Sequence, residues 1–543
     1  MVIEMGVRMA LHPRRRDLRG RESMHGCRIT LLAFVLALVA LAGAACPALA
    51  WKAGGHYVEA EKVRDLLPSH SVVKKAMLAY PAAAAWGSYG ADLGYGGGSY
   101  ADIARGYTPW TNKLHYHRVG TLATILLRRA LAGGDLEQIA FAAGYLTHTT
   151  GDLAGHGLYV NPEAGGVFFD DAGTQSKHSE LEKHAEPYIW KDLGGHDIAD
   201  YIPGADAGTF LTGYLEGLHP PTERLFAQAL QDVYGESPLA DGFHAWIDTC
   251  FATMNNALTA TVGGLYCGYA ESATALDASQ PNGETRRRNI DVAMERSVYN
   301  AQQLIVQAER GDYSGFVDTW NLDVGERPRT AIGEVTVRIH TADVWLAGTD
   351  DDVYLRLQLD GGGAYDKRLD TGAGGGLGYS DFEQNDDDWY FVYVGDPAFT
   401  PEHIAKVSIY KSSDGVAGGW RPDRFRIWVN GQQIVDEDPG HWFEDDDLWW
   451  GKDVGPLTWP TITGLGPASA KRGGLVTISG ANLGAAQGAG TVRFGGAECA
   501  RYVSWSATRI QCKVPATASY GKVSVTVTTT AGASNAMSFT VKR

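Results

Sequence analysis

Near Pro328 the apolar residues of this chain stop recurring every three or four positions and begin to recur every second one. A helix and a strand need different periods to bury one face, so the two halves cannot share one architecture. Before the change, Leu122–Leu131 and Leu136–Leu146 are rich in Ala and Leu at helical spacing, with Asp135 placed to cap the second. Ile290–Ala308 reads as another long helix, and Gly94–Gly98 as a loop. After it, Val335–His340, Val353–Leu359, Ala405–Tyr410 and Phe425–Val429 alternate apolar with polar between Gly, Asp and Asn clusters, the pattern of an all-β sandwich. A second change falls at Gly455–Pro467, beyond which Leu475–Ser479, Thr491–Phe494 and Val523–Thr529 read as short strands. With 543 residues the chain is too long for one core. The predicted fold class is multidomain: an all-α domain over 51–327, then two all-β sandwiches over 328–454 and 455–543.

Residues 1–50 read as a targeting segment. Six arginines between Arg14 and Arg28 precede the apolar run Ile29–Ala45, and Ala48-Leu49-Ala50 fits an A-x-A cleavage site. The run is too short for a comfortable membrane span. Cleavage after Ala50 predicts a secreted protein with Trp51 at its amino terminus and no transmembrane anchor. Loss of the segment's seven arginines and three acids takes the formal charge from −16 to −20. Such acidity disfavours a nucleic-acid partner held by phosphate attraction. Four cysteines remain, Cys250, Cys267, Cys499 and Cys512, and an even count in an exported protein predicts two local disulfides.

Nine of the sixteen histidines lie between Trp51 and Asp200. His148, Asp152 and His156 follow one another at intervals of four, and His178 and Glu182 repeat that spacing. On a helix such pairs share a face, where imidazole and carboxylate can grip one Zn2+ without bending the backbone. A single pair of this kind is more often a surface hydrogen bond; five residues in two spaced groups are harder to explain so. Trp51-Lys-Ala-Gly-Gly-His56 adds to this pattern. A freed Trp51 amine loses its proton readily to a metal and chelates it together with its own carbonyl, and His56 supplies a third donor.

These residues resemble the zinc-dependent phospholipase C family, whose trinuclear site is shared with the S1/P1 nucleases. His148-Thr-Thr-Gly-Asp152-Leu-Ala-Gly-His156 is similar to the H-x-x-x-D-x-x-x-H of glycosylphosphatidylinositol-specific phospholipase D. Leu114-His115-Tyr116 resembles the family's isolated ligand histidine, and Tyr89-Gly-Ala-Asp92 the loop with its early aspartate, for which Asp102 is the alternative. The resemblance implies three Zn2+ per chain. One takes Asp92, His115, His148 and Asp152; a second takes His156, His178 and Glu182 with positions open to water; a third takes the Trp51 amine and carbonyl, His56 and the other oxygen of Asp152. Asp92 is the expected general base for a water that attacks the phosphodiester. The implied activity is that of a phospholipase C. The alternatives are a phospholipase D-like or glycosylphosphatidylinositol-anchor hydrolase, an S1/P1-type nuclease, and a non-catalytic surface-binding protein.

Residues 330–452 resemble a PLAT domain, through Ala347-Gly-Thr-Asp350-Asp351-Asp352-Val-Tyr354, Ser380-Asp-Phe-Glu383, Ser413-Asp414-Gly415 and Trp420-Arg-Pro-Asp-Arg-Phe425. That resemblance implies peripheral docking on a phospholipid surface; Trp345, Trp420, Trp449 and Trp450 lie in or beside its predicted loops, where each either meets the membrane interface or fills the sandwich core. It also implies a Ca2+ site at Gly348, Asp350 and Asp414, although Leu346 stands where the calcium-binding relatives carry aspartate. Residues 458–543 resemble an IPT/TIG domain through Pro460-Thr-Ile-Thr-Gly-Leu-Gly-Pro467 and Leu475-Val-Thr-Ile-Ser-Gly-Ala-Asn-Leu483. It implies a spacer, or a module with a protein or glycan partner.

Overall fold

The structure, a computed structural model, describes residues 53–97, 109–165, 172–196, 218–235, 276, 285–313, 315–316, 320–325, 332, 335–369, 381–392, 394, 399–413, 419–444, 447–488, 490–495, 497–529 and 532–543. The targeting segment, Trp51, Asp102, Cys250, Cys267 and Asp414 lie outside them.

The helical part is built around α6, Leu136–Gly155, reached in chain order after α1 (Ala53–Leu66), α2 (Val72–Ala79), α3 (Pro81–Tyr89), α4 (Pro109–Tyr116) and α5 (Val119–Gly133). Asp135 caps α6 by accepting from the Gln138 N–H at 3.0 Å. From Ile139 to Gly155 the helix is buried on every side, as a central helix must be. Its threonines are tolerated there because each hydroxyl donates to a carbonyl one turn back: Thr147 to Gly144, Thr149 to Tyr145 and Thr150 to Leu146. α7 (Asn161–Ala164), α8 (Ala172–Tyr188), α9 (Pro220–Tyr234) and α10 (Arg286–Ala308) come next, and α10 packs on α6. The sequence expectations of Leu122–Leu131, Leu136–Leu146 and Ile290–Ala308 each fall within a longer helix. The expected loop at Gly94–Gly98 differs: residues Gly90–Gly97 form a 3₁₀ turn that extends the end of α3, a common way to finish a helix.

The contact of α3 with α6 sets the geometry around His148. A Cβ on Gly87 would stand 2.0 Å from the Phe141 carbonyl oxygen, and one on Gly144 2.0 Å from that of Ala84. The two backbones therefore touch, which brings the Ser88 carbonyl to the His148 ring. Gly144→Ala is expected to force the helices apart, to cost at least the ~1–3 kcal/mol typical of overpacking, and to weaken metal retention by releasing His148. Thermal unfolding and zinc content of the variant measure both; an unchanged melting temperature contradicts the contact.

The middle part is two antiparallel four-stranded sheets. One has the order β4 (Asp387–Val392), β1 (Val335–Thr341), β6 (Pro422–Val429), β7 (Gln432–Glu437). The other has the order β3 (Ala364–Arg368), β2 (Val353–Leu359), β5 (Ile404–Lys411), β8 (Trp449–Asp453). Val335, Val337 and Ile339 face Leu355, Leu357, Val407 and Ile409 in one core cluster. For Trp420 the core reading holds: it is wholly buried among Phe382, Phe425 and Phe443, with its Nε1–H on the Thr341 hydroxyl at 3.1 Å. Trp450 also packs against this core. Trp449 lies on β8 with its ring stacked on Tyr410, and only Trp345 stands free on a loop, 83% exposed. The outer face of the first sheet holds α4: Tyr116 meets Phe391, His117 meets Trp428, and the Lys113 ammonium sits 4.1 Å above the Trp389 ring.

The last part, with a third core cluster, pairs a sheet holding strands Leu475–Ala481 and Arg509–Lys513 with one holding Gly521–Thr529 and Met537–Lys542. Asp312, just beyond α10, accepts from the Ser524 hydroxyl at 2.8 Å, so this sandwich touches the helical part. Cys499 and Cys512, expected to be bonded, are both free, buried thiols. The Cys499 thiol donates to the Lys513 carbonyl at 3.1 Å. Among the described residues no helix is long and apolar enough to cross a membrane.

Candidate metal centre

Three helices and one 3₁₀ turn deliver five of the expected donors to one buried place. α1 carries His56, the turn after α3 carries Asp92, α4 carries His115, and α6 carries His148 and Asp152. All five are at most 1% exposed. His148 Nε2 lies 3.1 Å from Asp152 Oδ2, and His115 Nε2 lies 3.7 Å from that same oxygen and 3.2 Å from Asp92 Oδ1. His56 Nε2 faces the other oxygen, Asp152 Oδ1, at 3.2 Å, with its ring stacked on His148 at 4.1 Å. Asp152 thus stands between two groups of imidazoles, one per oxygen.

A second cluster begins one turn further along. His156 opens a π-helical turn, His156–Val160, that continues α6, and α8 supplies His178 and Glu182. π turns recur at functional sites because they re-aim side chains within an unbroken helix. His156 Nε2 is 3.5 Å from Glu182 Oε1. Trp51 lies outside the described residues, but the segment behind it is held: Glu186, one turn past Glu182, accepts from the Gly54 N–H at 2.6 Å and the Gly55 N–H at 3.0 Å.

Backbone carbonyls fix three of the rings. His115 Nδ1 bonds to the Thr111 carbonyl at 2.8 Å, His148 Nδ1 to that of Ser88 at 3.0 Å, and His156 Nδ1 to that of Leu322. Each bond turns the Nε2 lone pair inward, the arrangement that orients metal-bound histidines. The inward atoms are then left over. His56 Nε2, His148 Nε2, His156 Nε2, Asp92 Oδ1 and both Asp152 oxygens are buried and make no hydrogen bond, although they face one another. Buried polar atoms are rarely left so, and a cation among them would satisfy all at once. The donor set, imidazole nitrogen with carboxylate oxygen, suits zinc.

The charges are tightly linked. Burial lowers the pKa of His148, but the Asp152 and Asp92 carboxylates outweigh it and raise it to about 9. Burial likewise works against His156, while Glu182 and Asp323 lift it to about 9. Burial and the neighbouring His148 push His56 down. Burial opposes ionisation of Asp152, yet His148 and His56 hold it well below the usual carboxylate range. Metal-free protein at pH 7 therefore carries protons on His148 and His156 that a metal must displace. Zinc loading at pH 7 is expected to release protons from both rings, besides that of the Trp51 amine, and zinc affinity to rise with pH up to about 9. Titration with zinc in weakly buffered solution reads the release; none at pH 7 contradicts the assignment of these rings.

Sequence reasoning missed three buried carboxylates. Glu59, one turn from His56, lies 3.1 Å from the Thr150 hydroxyl, and burial raises its pKa well above normal. Glu186 comes after Glu182 at helical spacing and was legible in that sense. Asp323 had no local signal. Its oxygen lies within 4.8 Å of donor atoms of His156 and His178.

Residues 56–234 match the zinc dependent phospholipase C family. Residues 460–541 match the IPT/TIG domain. All the donor residues in α1, α4, α6 and α8 lie inside the phospholipase C match. The chain is 24% identical over 322 residues to a phospholipase C of Clostridium haemolyticum, covering 58% of this chain and 64% of that one. It is 22% identical over 221 residues to a phospholipase C of Paraclostridium bifermentans, covering 40% and 49%. It therefore spans less than two thirds of the length of either relative. Among solved structures it is similar to the alpha toxin of Clostridium absonum, at 16% identity and a TM-score of 0.27, covering 75% of this chain and 98% of that one.

In the first sandwich, Gly348 and Asp350 share the loop between β1 and β2, with Asp350 exposed. The adjacent Asp351 is buried against the Lys411 ammonium, and Asp352 pairs with Arg368.

Proposed function

We propose that this chain is a phospholipase C that hydrolyses the phosphodiester of membrane phospholipids and releases a phosphorylated head group, using three zinc ions. The observation that carries the proposal is the buried convergence of His56, Asp92, His115, His148 and Asp152 beside His156, His178 and Glu182, within the segment that matches the family. Zinc held there would neutralise the phosphodiester anion and acidify a water. The chain's own residues do the rest. Asp152 presents one oxygen to each imidazole group and ties them at fixed separation. The Thr111, Ser88 and Leu322 carbonyls hold the rings in register, so little reorganisation is needed during reaction. Asp92, buried beside His115, accepts the proton of the attacking water as general base. The third zinc requires the Trp51 amine, and hence export with cleavage after Ala50; Glu186 positions the segment that leads to it.

The first sandwich is the proposed PLAT-like docking module. Val344, Trp345 and Leu346 form an exposed apolar loop tip suited to a phospholipid interface. Ca2+ at Gly348, Asp350 and Asp414 would offset the chain's acidity there. The IPT/TIG domain is left with a protein or glycan partner.

The test is product analysis with zinc-loaded protein on phosphatidylcholine vesicles, a glycosylphosphatidylinositol anchor and single-stranded DNA. Diacylglycerol with phosphocholine is the expected outcome. Phosphatidic acid as main product replaces the reading by a phospholipase D, and nucleotide release at a comparable rate replaces it by a nuclease.

A further inference from the structure

We propose that Asp323 is a further metal ligand, closing the centre of His156, His178 and Glu182 from the segment that leads towards the first sandwich. The inference rests on the proposed metal centre. Asp323 lies far along the chain from the helices that carry the other donors, and outside the segment that matches the family. It is fully buried, and its Oδ1 stands 3.9 Å from His178 Nδ1. That distance is too long for a hydrogen bond between these two atoms. It is a length that two atoms on one ion can have, since donors bound at about 2.0–2.2 Å from a zinc lie at most about 4.4 Å apart.

The backbone around Asp323 is built to hold it there. The Asn321 side chain accepts from the N–H groups of Asp323 and Val324, each at 3.1 Å. The Asn161 amide donates to the Asp323 carbonyl at 2.7 Å. Leu322 accepts from His156 Nδ1 and donates its N–H to the His115 carbonyl at 2.9 Å, so one residue touches both clusters. Gly325, at φ +87°, lies so close to the π turn that a Cβ there would stand 3.2 Å from Gly157 Cα. This segment is clamped between the two clusters by its main chain, with its one carboxylate directed at the second.

Charge balance gives the same answer. Around the first expected zinc, His115 and His148 face Asp92 and one oxygen of Asp152, whose other oxygen faces His56. His156 and His178 with Glu182 alone would leave a buried dication one negative charge short, and burial makes such an imbalance costly. Asp323 supplies a second negative charge there. The centre then has four protein donors rather than the three expected from sequence, and its fourth comes from the far end of the helical part.

The experiment uses the full chain loaded with Co2+. Asp323→Cys places a thiolate at the position, and coordination produces a sulfur-to-cobalt charge-transfer band in the near ultraviolet above the wild-type baseline. Asp323→Asn, loaded with Zn2+, is expected to lose one equivalent of metal at a chelator concentration at least about tenfold below that needed for the wild type. The band together with that selective loss supports the assignment. No new band in a folded, cobalt-loaded Asp323→Cys chain overturns it. Should that variant fail to fold, Asp323→His decides: a shifted visible cobalt spectrum supports ligation and an unchanged one overturns it. A wild-type chain that takes up neither metal overturns the proposed metal centre itself, a result distinct from the others.

Discussion

Asp152→Asn is expected to lower turnover on phosphatidylcholine by at least about a thousandfold and to reduce the zinc content of the same preparation. Asp152 gives Oδ1 to His56 and Oδ2 to His148 and His115, so its loss removes the one carboxylate shared by two groups of imidazoles. A bound metal supplies several kcal/mol of charge stabilisation in the transition state, and each 1.4 kcal/mol is worth about tenfold in rate. The amide is nearly the same size as the acid, so helix α6 should keep its packing, and circular dichroism should match the wild type. Elemental analysis and product release on one sample check the result together. Turnover within a few fold of the wild type would remove Asp152 from the centre of the site.

Trp420→Ala is expected to destabilise the first sandwich by about 3–5 kcal/mol, the usual cost of emptying a large aromatic site. Its ring lies 5.1–6.0 Å from those of Phe382, Phe425 and Phe443, and the deletion also leaves the Thr341 hydroxyl without its indole donor. Trp345→Ser is the contrasting variant. Its side chain is 83% exposed, so stability should be unchanged. Binding to phosphatidylcholine vesicles should fall roughly tenfold or more, the worth of one large apolar side chain moved out of water. Thermal unfolding and vesicle co-sedimentation separate the two roles. A Trp420→Ala chain with normal unfolding and lost vesicle binding would return Trp420 to the membrane face.

The two tryptophans mark where sequence reading stops. Both sit beside Gly and Asp clusters in a strand-rich segment, and period-two patterning says nothing of a residue at the end of a strand. Whether such a residue turns inward depends on what the opposite sheet offers. Trp420 meets Phe382, Phe425 and Phe443 there, whereas Trp345 is left exposed.

Sequence alone determined what depends on neighbours within one element. Helical spacing placed His148 with Asp152 and His178 with Glu182, Asp135 capped its helix, and alternation located the strands from Val335 onward. Each comes from the fixed periods of helix and strand, which turn chain separation directly into a shared face. Tertiary structure decided what depends on separate elements meeting. The touching backbones at Gly87 and Gly144 bring Ser88 to His148. Asp152 receives His56 from one helix and His115 from another. The Leu322 carbonyl fixes His156 and Asp323 joins the second cluster from more than a hundred positions away, because a contact closed by packing leaves no periodic trace in the chain.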